Sequence, residues 1–219
     1  MKTNILIILI VAIIPFGAVQ AVEKCDAPQY AKKESKHLQK QGWRPFSDDA
    51  CIAEQLANRG KLQMEFDDDL FPKYIYADGI SDMCLSIDEA YKKAIAVAQL
   101  ALVSMSKTEI NSRHQVMSAS ETMESTNSIG GYTFKTISIR NGVEIDTVTI
   151  SYNGIKLMQS YQNGDEGGVN YNWDAMLRYS DVLPIAKNAW VALRLYRKTD
   201  KGYEVLVTLF NYSPKDLEN

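Results

Sequence analysis

The hydrophobic pattern of the chain changes character near residue 118. Before that point apolar residues recur at helical intervals; beyond it they recur at every second position. Residues 28–41 (PQYAKKESKHLQKQ) are polar helix formers with Tyr30 and Leu38 as sparse apolar contacts, and Gly42 is a natural stop. Ser47-Asp48-Asp49 is an N-cap cluster. A second helix follows through Ile52 and Leu56, with a break expected at Asn58-Arg59-Gly60 and a solvated acidic turn at 65–69 (EFDDD). Residues 73–82 (KYIYADGISD) read as a strand that Asp78-Gly79 bends or bulges.

Ser86-Ile87-Asp88-Glu89 is a capping box. The helix it opens carries Ile87, Tyr91, Ala94, Ile95, Ala98, Leu102 and Met105 on one face, widened by Val97, Leu100 and Val103. So wide a stripe predicts cover from a sheet and from a second helix or subunit. The helix is expected to fade near Arg113, with a continuation to Thr126 open. Residues 118–131 (SASETMESTNSIGG) read as a mobile connection.

Period-two alternation then takes over. Tyr132, Phe134, Ile137 and Ile139 mark one strand, Asn141-Gly142 a hairpin turn, and residues 143–152 the return strand. Asn153-Gly154 and Asn163-Gly164 are further turns, with no element assigned over 153–180. Residues 190–197 (WVALRLYR) and 203–212 (YEVLVTLFNY) predict a terminal hairpin. The sum is an α+β fold, a long helix packed on an antiparallel sheet, with additional N-terminal helices.

The first 21 residues are read separately. Lys2 precedes the apolar run 5–16 (ILIILIVAIIPF), and Val19 and Ala21 stand at the −3 and −1 positions of a cleavage after Ala21. That is the pattern of a secretory signal peptide, shorter than the roughly 20 apolar residues of a membrane span. The organisation expected is therefore 1–21 signal peptide, 22–70 helical segment, and 71–219 an α+β domain with a variable region near 118–180. Glu23-Lys24 ahead of Cys25 does not suit a lipid-attachment signal, so a soluble protein of the periplasm or cell envelope is expected.

Composition narrows the chemistry. With 24 Lys+Arg against 27 Asp+Glu the net charge is −3, which argues against a nucleic-acid binder. Two His and three Cys leave little for a metal site, and no cofactor is expected. In an exported chain Cys25 and Cys51 are a possible disulfide closing a loop worth roughly 3 kcal/mol, although an odd cysteine count leaves the connectivity open. No GxSxG, HExxH, P-loop or GxGxxG is present. Tyr171, Trp173 and Tyr179 form an aromatic group suited to stacking on a sugar or small ligand.

Three stretches together resemble a known family. Residues 31–36 (AKKESK) with Gln41-Gly42-Trp43 are similar to the opening of secreted proteins from Bacteroidota-type bacteria. Residues 72–79 (PKYIYADG), then Ala90-Tyr91-Lys92-Lys93-Ala94 and Ala98-Gln99-Leu100-Ala101, resemble the strand–helix core of the Lpp-twenty lipoprotein-like family. The resemblance spans residues 28–113, with a looser match at 190–212. It implies a compact α+β envelope protein and brings no catalytic constellation. The reading is a non-enzymatic structural or interaction module, with an envelope protein or a second copy as partner. A glycan or small-ligand binder and an enzyme of unrecognised type are the alternatives.

Overall fold

A computed structural model describes residues 25–111, 123–129, 131–140, 144–163, 166–179 and 188–213. The signal-peptide reading and the Asn141-Gly142 turn lie outside these residues.

The expected single helix-on-sheet architecture is overturned. Strand exceeds helix, 43% against 34% of the described residues, and the strands form two separate antiparallel sheets. The first combines β1 (Arg44–Pro45), β2 (Tyr74–Ile80), β8 (Trp190–Thr199) and β9 (Gly202–Tyr212) in the order β1-β8-β9-β2. The second is a five-stranded meander of β3 (Met123–Ile129), β4 (Tyr132–Arg140), β5 (Glu144–Tyr152), β6 (Ile155–Asn163) and β7 (Glu166–Tyr171).

Helices α1 (Gln29–Lys40) and α2 (Ile52–Gln63) cover one face of the four-stranded sheet. Ala31, Ile52 and Leu56 close on Leu193 and Leu195 of β8, with Trp43 in the same cluster. Cys25 and Cys51 are joined by a disulfide between the entries to these helices. Helix α2 runs straight through the expected break at Asn58-Arg59-Gly60. A Cβ at Gly60 would stand 2.9 Å from the Tyr30 hydroxyl, the end of a half-exposed side chain that packs over this position.

The opposite face carries α3 (Ile87–Asn111). Its Ala90, Ala94 and Ala98 are fully buried against Ile75, Ala77, Val207 and Leu209. Small residues permit the close approach, and Gly79 completes it: a Cβ there would lie 2.1 Å from the Ala94 carbonyl oxygen. Asp78-Gly79 is thus no bulge, and β2 pairs with β9 in unbroken register. Ser86 caps α3 through its Oγ, which accepts the Asp88 N–H at 3.2 Å. Glu89 turns instead to Lys93, 3.1 Å away.

The second cover of α3 is the five-stranded sheet together with a short helix, α4 (Trp173–Tyr179), whose Ala175 and Met176 join the same cluster. Ala96, Leu100 and Val103 pack against Tyr132, Phe134, Ile150 and Leu157. The long helix is therefore the shared middle layer of two sheets. Strand β3 occupies half of the segment expected to be a mobile connection, and Thr126 lies in it rather than in a helix. Its Ser/Thr/Asn-rich sequence suits an edge strand, which offers no apolar alternation to read. Asn153 and Gly154, with φ of 47° and 80°, make the turn from β5 to β6. Helix α4 (Trp173–Tyr179) was not foreseen; Asn172 caps it, its Oδ1 accepting the Ala175 N–H at 3.3 Å.

Candidate functional site

Side chains alternate across a strand. With Ile75 and Ala77 against α3, Tyr74 and Tyr76 face the other way. Pairing sets Tyr76 beside Phe210 and Phe210 beside Trp190, so three rings stand in one row across β2, β9 and β8. Tyr76 stacks on Phe210 at 5.3 Å with planes 24° apart, and Trp190 on its other side at 6.1 Å and 26°. Tyr74 meets Trp190 edge-on at 5.3 Å and Tyr212 at 5.5 Å. Phe210 is wholly buried within this group, while Tyr212 remains 47% exposed. Because the ring faces are spent on one another, edges and phenol oxygens are what the group offers outward.

Beside this row lies the loop between α2 and β2. Asp67 braces it: Oδ1 accepts the N–H groups of Asp69 and Phe71 at 3.0 and 2.8 Å, and the Asp67 N–H donates to the Phe71 carbonyl at 2.8 Å. The acidic turn read from the sequence is therefore partly structural. Lys73 N–H donates to the Glu65 carbonyl at 2.9 Å, and Ser213 N–H to the Lys73 carbonyl at 2.9 Å, which ties the loop to the end of β9. Leu70 sits in the left-handed region (φ 63°) with its side chain 82% exposed. A left-handed backbone costs a non-glycine residue of order 1 kcal/mol or more, so the braced turn holds an apolar side chain outward against its own preference. Met64, Phe66 and Phe71 are exposed around it, rimmed by Asp68 and Asp69.

The residues singled out from the sequence lie elsewhere. Tyr171 and Trp173 come together, centroids 4.8 Å apart, but Tyr179 lies against Tyr152 instead. All three are half-buried against the cluster formed by α3 and the five-stranded sheet. Burial raises the Tyr171 pKa. The Lys93 ammonium sits 4.9 Å over the Trp173 ring. It also donates to Asp82 at 3.1 Å and to Glu89 at 3.1 Å. Burial alone would lower the Lys93 pKa, yet the hydrogen bonds to those carboxylates outweigh it and raise it. Cys84, buried next to Asp82, is a free thiol pushed up to about 11, chiefly by burial and then by Asp82.

A cleft of about 510 Å³ opens between α2, α3 and β8. It contains two carboxylates, both already engaged. Asp49 takes Arg194 in a bidentate pair at 2.7 and 2.9 Å, and Glu54 accepts the Asp26 N–H at 3.1 Å. Arg194 also lies over the Phe46 and Tyr91 rings at 4.6 and 5.4 Å. The Asp49 hydrogen bond holds the guanidinium pKa above its usual value. A carboxylate locked in such a fork is poorly placed to act as a general base. Among the described residues, Cys25, Cys51 and Glu54 group as metal-type donors. With the sulfurs bonded to each other they offer no thiolate.

The five-ring group was missed because it depends on cross-strand register between distant segments. The available signal was Tyr74/Tyr76 and Phe210/Tyr212, two period-two aromatic pairs in predicted strands. Among the described residues, no helix is long and apolar enough to cross a membrane. Comparison of the chain with protein-family models, curated proteins and solved structures finds no match.

Proposed function

We propose that this is an exported, non-enzymatic interaction protein of the cell envelope. Its contact surface is the aromatic end of the four-stranded sheet with the adjoining loop at residues 64–72. The N-terminal apolar run and the Val19/Ala21 cleavage pattern support export, and the Cys25–Cys51 disulfide suits an oxidising compartment. The resemblance to the Lpp-twenty lipoprotein-like family supports an envelope location. The observation that carries the reading is Leu70, held outward in a left-handed turn on a loop that also exposes Phe66 and Phe71 and is tied to the end of β9, where Tyr212 is half-exposed. Several large apolar side chains exposed on one braced loop are the kind of feature that marks protein contact sites. The flanking Asp68 and Asp69 favour a partner with an apolar centre and a cationic rim. A glycan reading centred on Tyr171 and Trp173 is weaker, because Lys93 already occupies a face of Trp173.

Lys61 and Lys73 flank the loop and are exposed, so an amine-reactive cross-linker applied to intact cells reports on this surface. A reproducible protein partner linked through Lys61 or Lys73 is expected. Its yield should fall at least fivefold in the Leu70→Ser/Phe71→Ser/Tyr212→Ser variant. Links through Lys156 of β6 instead, or a yield indifferent to the variant, would reject the proposal.

A further inference from the structure

The four-stranded sheet has an open edge that the aromatic surface does not use. Strand β1 pairs with β8 only at Arg44–Tyr196 and Pro45–Leu195. From Trp190 to Arg194, no described strand lies on the side of β8 away from β9. The chain leaves the sheet after Pro45 and turns, the Asp49 N–H donating to the Phe46 carbonyl at 3.1 Å. The cleft described above lies along this vacated edge. Val191 and Ala192 of β8, Glu54, Gln55 and Asn58 of α2, and Tyr91 of α3 line it. Its volume falls within the range of ligand-binding clefts.

Gln55 shows what the edge accepts. Its Oε1 takes the Arg194 N–H at 2.7 Å while its Nε2 donates to the Ala50 carbonyl at 2.8 Å. A buried side-chain amide thus stands where the peptide group of a neighbouring strand would be. Farther along, the register with β9 shifts between Val191 and Leu193, and the strand bends where the cleft opens. The charge of the cleft is also legible. Asp49 is neutralised by Arg194, whereas among the described residues Glu54 has no cationic partner and accepts only the Asp26 backbone N–H.

We propose that this edge and cleft form a strand-addition site for an extended peptide carrying a basic side chain. The peptide main chain would pair with β8 at Val191 and Ala192, beyond the Arg194 N–H that Gln55 already takes, and the cation would meet Glu54. An extended backbone supplies donors and acceptors at the spacing of an unpaired strand edge, and alternate side chains point into the walls. This inference is independent of the aromatic surface, since it uses none of its rings.

The probe is an acetylated, amidated hexapeptide of alternating Val and Thr with one central Lys, titrated into the isotopically labelled protein and followed by NMR. Saturable shifts centred on Ala192, Gln55 and Glu54 are expected. Methylating one alternate set of peptide nitrogens should weaken binding at least tenfold, whereas methylating the other set should leave it unchanged. Exchanging the peptide Lys for Glu should also weaken it at least tenfold, and Glu54→Gln several-fold. No saturable shift at millimolar peptide, equal effects of the two methylated sets, or shifts centred on Tyr74 and Tyr212 would each overturn the proposal. The methylated peptides need no change to the protein, so a misfolded variant cannot decide the outcome.

Discussion

Tyr132 and Phe134 in the five-stranded sheet, and Tyr76 and Phe210 in the four-stranded one, are ring pairs of nearly the same composition. Their surroundings differ. Tyr132 and Phe134 face α3, and Tyr152, Tyr171, Trp173 and Tyr179 close in beside them, so that assembly is spent on holding a second sheet to the helix. Tyr76 and Phe210 stand on the face opposite α3, where α1 and α2 close mainly on β8. There Tyr74 and Trp190 flank Phe210 and are half-buried, and Tyr212, set against both of them, is half-exposed. Aromatic content therefore says little about role. What decides it is which layer lies across the sheet.

The comparison is tested hardest at the centre of each assembly. Phe210→Ala and Phe134→Ala should each cost about 3–5 kcal/mol, because both rings are buried and leave a cavity. Urea unfolding of the two variants measures this. A loss below about 1 kcal/mol for Phe210→Ala would show that the open assembly has no core of its own. Next in size is the disulfide under the four-stranded sheet. Replacing Cys25 and Cys51 by Ser should cost about 3 kcal/mol in the chain-entropy account. It should leave the NMR signals of the five-stranded sheet in place.

A smaller effect, of opposite sign, belongs to the inward assembly. The Tyr132 hydroxyl is buried and, among the described residues, has no hydrogen-bond partner. Burial accordingly raises its pKa. Tyr132→Phe should therefore stabilise the protein by about 1 kcal/mol, read as a rise in melting temperature. A destabilisation would show that the hydroxyl is satisfied. The smallest effect concerns Cys84, buried at the junction of β9 and α3. Its thiol is held protonated to about 11 against an ordinary value of 9.0. Between those pH values the unfolded thiol ionises while the folded one does not, so its contribution to stability is intact below pH 9 and is lost as pH rises toward 11. Iodoacetamide labelling of the folded protein should be slow at pH 8 and climb toward pH 11. Fast labelling at pH 8 would place the thiol at the surface.

Individual elements were legible where burial follows a period, although the two-sheet architecture was not. Ser86 announced the start of α3, its wide apolar face announced two covers, and the alternation after Tyr132 announced antiparallel strands. The identity of the second cover was not legible, because it depends on residues 123–171 folding back as a sheet. Strand β3 was hidden because residues 124–128 between its apolar ends are all polar, and α4 because seven residues give no helical period. The aromatic surface escaped for a different reason. Tyr74 and Tyr76 are apart in sequence from Phe210 and Tyr212, and only the register of β2 on β9 brings them together. Tyr171, Trp173 and Tyr179 drew attention because they are close in sequence, and that closeness reflects packing.

The most direct test exchanges single tyrosines for a photoreactive benzoylphenylalanine in intact cells. At Tyr212, which lies in the outward assembly and is half-exposed, illumination should give a discrete cross-link to another protein. At Tyr179, in the inward assembly, it should give only cross-links within the chain. An intermolecular product from Tyr179 with none from Tyr212 would reverse the assignment of the two aromatic regions.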